Sequence, residues 1–410
     1  MKANSIETNI SQMHLVRAIA CLGVVITHTK FVLWSGGQAY LERYPMVRWK
    51  WYEFVVFFLD LVTSIGSTRV FFFFILSGFF LQYSTRNSFC IRSFLRGRFL
   101  RLYPSYVVAT LAALTAFYLA VTYINPQLLT GSEREFNVLL RSAATDLSWP
   151  GLWHTLLFNF NSRATAFAAT PHLWSMLHEA LFCLLFPLYH CLSMRERAML
   201  AVAVLGVSLL LGSLLLQAQL FFLIGMLFYD WFSSAEHPVS ELPRWGYKVA
   251  FVGLYLATYG IAKLGAHWLA CLPMVVLTFL LFEFVLTQPI QVPRVCVVIS
   301  KASYAIYLNH LWILVLYYAV LSRLTGELVF YSHWPYYSGV VVAVLVSLPA
   351  YWLVDKPMAA YLARLRQYPA LPAQALAFPP QPYLSEAYAG VPTIGLSAAT
   401  LRPQQVALVS

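Results

Sequence analysis

Apolar residues follow one another in long runs along this chain, and short polar connections separate the runs. About 20 consecutive apolar residues are enough for a helix to cross the hydrocarbon core of a bilayer. Runs of this kind lie at 14–34, 62–83, 103–124, 172–192, 198–217, 219–232, 248–264, 266–288, 300–321 and 337–362. The pattern predicts an all-α fold, a polytopic transmembrane helical bundle with about ten spans.

A further apolar segment, 51–61, is too short to cross a bilayer and follows a polar break at 35–50. Such a segment is typical of a helix that lies in the membrane interface. Composition agrees with a membrane protein, because 60% of the residues are hydrophobic and only 10% are charged. Soluble proteins average about 25% charged residues.

The net charge of +11 raises the question of a nucleic-acid partner, but the basic residues are distributed differently. They concentrate in alternate connections, at 86–101, 195–197, 244–248, 294–301 and 364–366. An excess of Lys and Arg in alternate loops marks the cytoplasmic side. We therefore expect a multi-pass protein of the lipid bilayer with both termini in the cytoplasm, and no nucleic-acid partner.

The six cysteines lie in or beside the predicted spans without the spacing of metal ligands, so no metal site is expected. Beyond Arg366 the composition changes to Ala, Pro, Gln, Leu and Ser. We expect one transmembrane domain over 1–367 and a disordered cytoplasmic tail over 368–410.

Candidate chemistry begins with Arg17 and His28 inside the first apolar run. An ionisable side chain within a span costs about 2.5–3.5 kcal/mol on insertion scales, so it is rarely kept without a function. Eleven helical steps return to within about 20° of the same face, about 16 Å further along the axis. One groove therefore contacts both residues, and His28 suits a general base near neutral pH. The alternative is a histidine that only bonds helices together.

Two further segments are candidates for binding a donor. Ser77 and Gly78 interrupt a solid apolar run, where small residues permit the close approach of a ligand or of another helix. Arg98 and Arg101 are three residues apart and share one helix face. Their guanidinium groups suit phosphates, with lipid headgroups or topology alone as the alternative.

The fourth candidate is Glu179, which follows Trp174 at the start of a predicted span. With Trp174 at the membrane interface, Glu179 lies about 7 Å deeper, at a level close to that expected for His28. There it would orient the imidazole and stabilise its charge. The alternatives are a neutral buried acid or a partner for Lys30. Later in the chain, Tyr304 and His310 open the ninth span, with His310 near mid-membrane.

Together these segments resemble the acyltransferase 3 family of bacterial integral membrane acyltransferases. The matching pieces are Arg17 and His28 with ten residues between them, Phe73 to Phe79, Arg98-x-x-Arg101 before Pro104, Trp174-Ser-x-x-x-Glu179, Ser303-Tyr-x-x-Tyr307-Leu-x-His310, and Asp355 near Pro357. They occur in the family's order and cover roughly residues 12–360.

The resemblance implies O-acyl transfer in the bacterial cytoplasmic membrane, usually of acetyl from cytoplasmic acetyl-CoA to a hydroxyl of a glycan or other acceptor. It implies that His28 is the catalytic residue and that Arg17, Arg98 and Arg101 serve the acyl-CoA donor. No tightly bound cofactor is expected. The acceptor, the oligomeric state and the choice between direct transfer and an acyl-histidine intermediate stay open.

A proton-coupled transporter or flippase of an amphiphile is the alternative function. The same buried His, Glu and Arg residues would then form a proton relay and a substrate site. Such transporters commonly contain inverted repeats and paired broken helices, and the sequence shows neither pattern. The sequence therefore favours the acyltransferase.

Overall fold

A computed structural model describes residues 9–63, 68–145, 148–158, 171–234 and 242–367. Within these ranges every regular element is a helix. Each of the ten predicted spans overlaps a helix, although 198–217 runs across the helix break at Gly212 and Ser213, and the all-helical prediction is confirmed. The predicted tail at 368–410 lies outside the described residues.

The first half of the chain contains seven α-helices. They are α1 (Met13–Leu33), α2 (Gly37–Arg43), α3 (Trp51–Val62), α4 (Thr68–Thr85), α5 (Ile91–Leu119), α6 (Glu135–Thr145) and α7 (Trp149–Leu156). The second half continues with α8 (Trp174–Cys191), α9 (Met194–Leu211), α10 (Leu214–Ser233), α11 (Arg244–Lys263), α12 (His267–Thr287), α13 (Arg294–Lys301), α14 (Ser303–Thr325), α15 (Trp334–Ala350) and α16 (Lys356–Gln367). Short π-helical turns follow α5 at Ala120–Ile124 and α15 at Tyr351–Asp355.

Six helical segments of the described chain are long and apolar enough to cross a membrane. They are Ile10–Leu33, Ile91–Ile124, Leu214–Ser233, Leu269–Thr287, Ser303–Thr325 and Trp334–Arg364. The count of about ten is therefore approximate, because the other predicted spans form helices that are shorter or less apolar.

Helices α1 and α14 form the inner part of the bundle. In the most apolar stretch of α14, 72% of the residues are buried, against 17% in the segment formed by α15 and α16. Helix α1 packs against α4, α13, α14 and α15. Since α14 is largely buried among other helices and α1 packs against four of them, the buried polar side chains of both helices meet other protein groups.

The backbones of helices α4 and α10 approach each other closely at two glycines. A Cβ atom on Gly78 would lie 2.0 Å from the Phe222 carbonyl oxygen, and one on Gly225 would lie 2.1 Å from the Ile75 carbonyl oxygen. The two glycines therefore allow a separation that no other residue permits. Aromatic side chains fill the adjoining core, where the Phe182 and Phe222 rings stack 4.0 Å apart.

The C-terminal end of α1, which we call the lysine end, carries a buried ionic cluster. Lys30 lies 3.3 Å from the Asp60 carboxylate of α3, and His333 lies 2.8 Å from the same group. The Tyr336 hydroxyl donates a hydrogen bond to Asp60 as well. The cluster joins α1, α3 and α15, so it sets where α1 ends.

Helix α3 matches the short segment predicted to lie in the membrane interface. Trp51, Phe54 and Phe58 are exposed on one side, whereas Phe57 and Asp60 are buried on the other. Burial alone would raise the pKa of the Asp60 carboxyl, but hydrogen bonds from His333 and Tyr336 and the charge of Lys30 hold that pKa below its ordinary value. Asp60 therefore stays ionised as the partner of Lys30.

Arg134 closes the last turn of α1 from outside the helix. Its guanidinium donates to the carbonyl oxygens of Phe31 at 2.9 Å, Val32 at 3.2 Å and Trp34 at 2.9 Å. These carbonyls have no partner within the helix, and a cation suits the negative end of the helix dipole. The end of α1 is thus fixed from two directions, by Arg134 and by Asp60.

Alanine at Gly78 or Gly225 is expected to lower stability by about 1–3 kcal/mol, because each added methyl group would collide with a facing backbone. Gly253→Ala in α11 is the matched control, since nothing lies within 4 Å of a Cβ at that position. Thermal unfolding midpoints in detergent measure the difference. Equal midpoints for the three variants would contradict the close contact of α4 and α10.

Candidate active site

Three histidines from separate parts of the chain meet inside the bundle. His28 comes from α1, His310 from α14, and His172 from the 3-10 turn at Pro171–Leu173 that precedes α8. The His310 ring centroid lies 5.0 Å from that of His28 and 4.8 Å from that of His172. The sequence singled out His28 and His310, whereas the place of His172 emerges only from the fold.

The hydrogen bonds of His310 assign the protons of both rings. Nδ1 of His310 lies 3.0 Å from the Ile306 carbonyl oxygen and 2.8 Å from that of Tyr307, so it must donate. Its Nε2 is then an acceptor, 2.8 Å from Nδ1 of His28, which donates to it. The unprotonated nitrogen of His28 is therefore Nε2.

The two histidines differ in exposure. His310 is fully buried, whereas His28 is half-buried. A buried ring whose hydrogen bonds run to its own helix backbone is well suited to positioning a neighbour. A half-buried ring with an unprotonated nitrogen is suited to meeting a substrate.

Helix α1 is held against the start of α14 by contacts at its N-terminal end, which we call the arginine end. Nδ1 of His14 lies 2.8 Å from the Ser300 hydroxyl, and Arg17 donates to the Ser303 hydroxyl at 3.3 Å. The Cys21 thiol contacts the Ser303 carbonyl oxygen at 3.9 Å. These contacts fix the register that brings His28 opposite His310.

A charged cluster occupies the arginine end. The charged and polar groups around the Arg101 guanidinium are Arg17, Asp355, Tyr304 and Glu179. Arg101 is nevertheless exposed. Arg101 is thus surrounded by protein groups and still accessible, so the cluster can be reached from outside the bundle at this residue.

Arg98 lies one turn before Arg101 on α5, as the spacing predicted. Its guanidinium is 3.4 Å from the Ser84 hydroxyl and 5.5 Å from the centre of the Phe94 ring. Arg17 packs over the Phe80 ring at 5.2 Å. The guanidinium groups of both arginines thus lie over aromatic rings in cation–π contacts.

Helix α14 and the π-helical turn after α15 contribute Tyr304 and Asp355 to this cluster. The Tyr304 hydroxyl donates to the Leu102 carbonyl oxygen at 2.8 Å, which joins α14 to α5. Asp355, at the end of the π-helical turn, accepts a hydrogen bond from Ser105. Single π-helical turns often occur at functional sites.

Glu179 does not lie at the level that the sequence suggested. The neighbours of its carboxylate are the Ser77 hydroxyl and the guanidinium groups of Arg98, Arg101 and Arg17. At the level of His28 the structure places His172 instead, with ring centroids 6.1 Å apart. Glu179 is seven residues further along, about 10 Å closer to the arginine end.

The physical reason is that α8 begins inside the bundle rather than at its surface. The carbonyl oxygen of His172 accepts hydrogen bonds from the Tyr307 hydroxyl at 2.8 Å and the Ser175 hydroxyl at 3.2 Å. Trp174, expected at the membrane interface, packs instead near Phe74 and His178. The depth assigned to Glu179 from Trp174 was therefore wrong.

The remaining predicted residues separate into two roles. Ser77 neighbours Glu179, and thus belongs to the arginine cluster. Gly78 faces α10, so the structure gives it the packing role that the sequence left open. Lys30 was one alternative partner for Glu179, but the structure pairs it with Asp60 at 3.3 Å.

The histidine cluster is not arranged as a metal centre. Among the described residues, no group of three His, Cys, Asp or Glu side chains is placed to hold a metal ion. The lone pair of His310 Nε2 is occupied by the hydrogen bond from His28. The arrangement suits proton transfer between a substrate and His28.

Comparison with known proteins gives two matches. A family model described as an acyltransferase domain matches residues 10–352. Acyltransferase MdmB from Streptomyces mycarofaciens is 34% identical over 133 residues, which make up 32% of this chain and 30% of that protein. The chain thus matches less than a third of the length of this curated relative. No solved structure matches the chain.

Proposed function

The chain belongs to the acyltransferase 3 family, and we propose that this membrane acyltransferase moves an acyl group from an acyl-CoA donor to a hydroxyl of its acceptor. The proposed acyl group is acetyl, and the proposed acceptor is a cell-surface or exported glycan, as the family resemblance implies. The family match favours this function over the transporter alternative.

The observation that carries the proposal is the hydrogen bond between Nδ1 of His28 and Nε2 of His310. A general base must present an unprotonated nitrogen to the proton that it removes. The bond to His310 leaves Nε2 of His28 as that nitrogen. His310 then acts as a positioning residue, because it holds the His28 ring in one tautomer and one orientation.

The arginine cluster supplies a site for the donor. CoA carries phosphate groups, and guanidinium groups bind phosphate through charge-assisted hydrogen bonds. Arg17 is about 16 Å from His28 along α1, a length comparable to the pantetheine arm. Phosphates held by Arg17, Arg98 and Arg101 would therefore leave the thioester near the histidines.

The acids of this cluster fit the same role. Glu179 and Asp355 lie among the guanidinium groups of Arg17, Arg98 and Arg101. Three positive and two negative charges leave one positive charge, so the carboxylates keep the cluster from repelling itself before the donor binds. In this proposal Glu179 positions the arginines.

The reaction balances with these residues alone. The acceptor hydroxyl gives its proton to Nε2 of His28 while its oxygen attacks the thioester carbon. The carbon–sulfur bond then breaks with its electron pair on sulfur, and His28 returns the proton to the thiolate. The products are the ester and free CoA. An acyl-histidine route would use the same nitrogen as the nucleophile.

His28→Ala is expected to abolish transfer while the protein still inserts, because alanine suits the helix but offers no base. Purified protein in detergent is assayed for release of CoA thiol and for acylated acceptor, each per mole of folded protein. His190→Ala is the control, since His190 bonds Gln82 at the far end of α8. Near-normal product from His28→Ala would overturn the proposal.

Arg98→Ala and Arg101→Ala are expected to raise the KM for acyl-CoA by about 10- to 100-fold, because a hydrogen bond to a charged group contributes about 1.5–3 kcal/mol. The acceptor KM should not change. Arg92→Ala, an exposed arginine at the start of the same helix, is the control.

Glu179→Gln separates the two roles considered for this acid. If Glu179 positions the arginines, the donor KM rises and kcat changes little. If it instead supports the His28 imidazolium, kcat falls by up to about four orders of magnitude at an unchanged donor KM. The second result would return Glu179 to the catalytic role predicted from the sequence.

A further inference from the structure

His172 carries the most unusual buried polar group beside the site. The residue is 3% exposed, and neither ring nitrogen makes a hydrogen bond of normal geometry. The carbonyl groups of Tyr307 and Leu308 are near enough to attract a ring N–H, but no regular bond forms. A buried donor without a partner costs about 1–3 kcal/mol, so a functional reason for it should be sought.

The position of His172 is imposed by the structure around it. Its backbone carbonyl is held by the hydroxyls of Tyr307 and Ser175. Its ring lies edge-on to His310 and to Tyr307, with centroid distances of 4.8 and 5.5 Å. Two side chains thus fix the backbone of a residue whose own ring is left without a regular bond.

The position of His172 does not suit a second general base. His28 already presents the unprotonated nitrogen that a base requires. Once His28 has taken a proton, a second imidazolium 6.1 Å away would be repelled by the first. His172 therefore stays neutral during the reaction, and a neutral imidazole always keeps one N–H to donate.

We propose that the His172 ring N–H donates a hydrogen bond to the thioester carbonyl oxygen as that oxygen becomes negatively charged. This inference rests on the proposed function. The acyl group would lie beside the rings of His28 and His172, whose centroids are 6.1 Å apart, so that both rings reach the same carbonyl group. Because the ring nitrogens are closed to bulk water, a donor there is stronger than it would be in water.

His172 takes no proton in this step. When the acceptor oxygen bonds to the thioester carbon, the carbonyl electron pair moves to oxygen, and His172 stabilises the resulting oxyanion. The pair returns as the carbon–sulfur bond breaks, and His28 gives its proton to sulfur. His172 ends the cycle as it began.

The test compares two replacements. His172→Phe keeps a ring of similar size without a donor, whereas His172→Gln supplies an amide N–H, a group that serves as an oxyanion donor in other enzymes. His178→Phe is the matched control, because it replaces a buried histidine on the same helix. Rates are measured per mole of folded protein, with kcat, both KM values and the pH profile of kcat/KM.

We expect His172→Phe to lower kcat by about 10²–10³-fold, the usual effect of removing one oxyanion donor. Both KM values and the pH profile should stay as in the wild type, because His28 remains the base. His172→Gln should recover a large part of the loss. His178→Phe should leave kcat unchanged.

Three results would overturn the inference. In the first, the kcat of His172→Phe is near normal. In the second, the Phe and Gln variants lose activity equally, which indicates a packing role. In the third, the pH profile shifts, which makes His172 a base. An inactive His28→Ala beside a normal His172→Phe would reject this inference alone, whereas an active His28→Ala would reject the proposed function.

Discussion

The hydrogen bond between His28 and His310 is the interaction on which the site depends. His310 is fully buried and donates to carbonyls of its own helix, so neither water nor lipid competes for its ring. The bond joins α1 to α14 and assigns the unprotonated nitrogen of neutral His28 to Nε2. Contacts of His14, Arg17 and Cys21 with α13 and the start of α14 hold the register that this bond requires.

The ionisable side chains of α1 lie at three levels along the helix. At each level they meet partner groups, because a buried charge in apolar surroundings needs a partner. Arg17 lies with the other arginines and two acids at one end, His28 with two histidines in the middle, and Lys30 with Asp60 at the other end. Donor phosphates suit the first level and proton transfer suits the second. The ion pair at the third level anchors the end of α1.

The features that depend only on the local pattern of apolar and polar residues could be predicted from the sequence. The long apolar helices follow from apolar runs, and the shared face of Arg17 and His28 follows from helical periodicity. The depth of Glu179 in the bundle could not be predicted from the sequence, because α8 starts at a turn that Tyr307 and Ser175 hold inside the bundle. The places of His172 and Asp60 likewise depend on segments far apart in the chain, and no spacing rule connects them.

The central claim is that His310 holds neutral His28 with its proton on Nδ1. Nitrogen-15 NMR of histidine-labelled protein at neutral pH tests it most directly, with the His28 signals assigned by their loss in His28→Ala. We expect a protonated Nδ1 and an unprotonated Nε2 for His28 in the wild type. In His310→Phe, which lacks the acceptor, we expect the populations of the two His28 tautomers to change. A proton on Nε2 of His28 in the wild type, or an unchanged tautomer in His310→Phe, would contradict it.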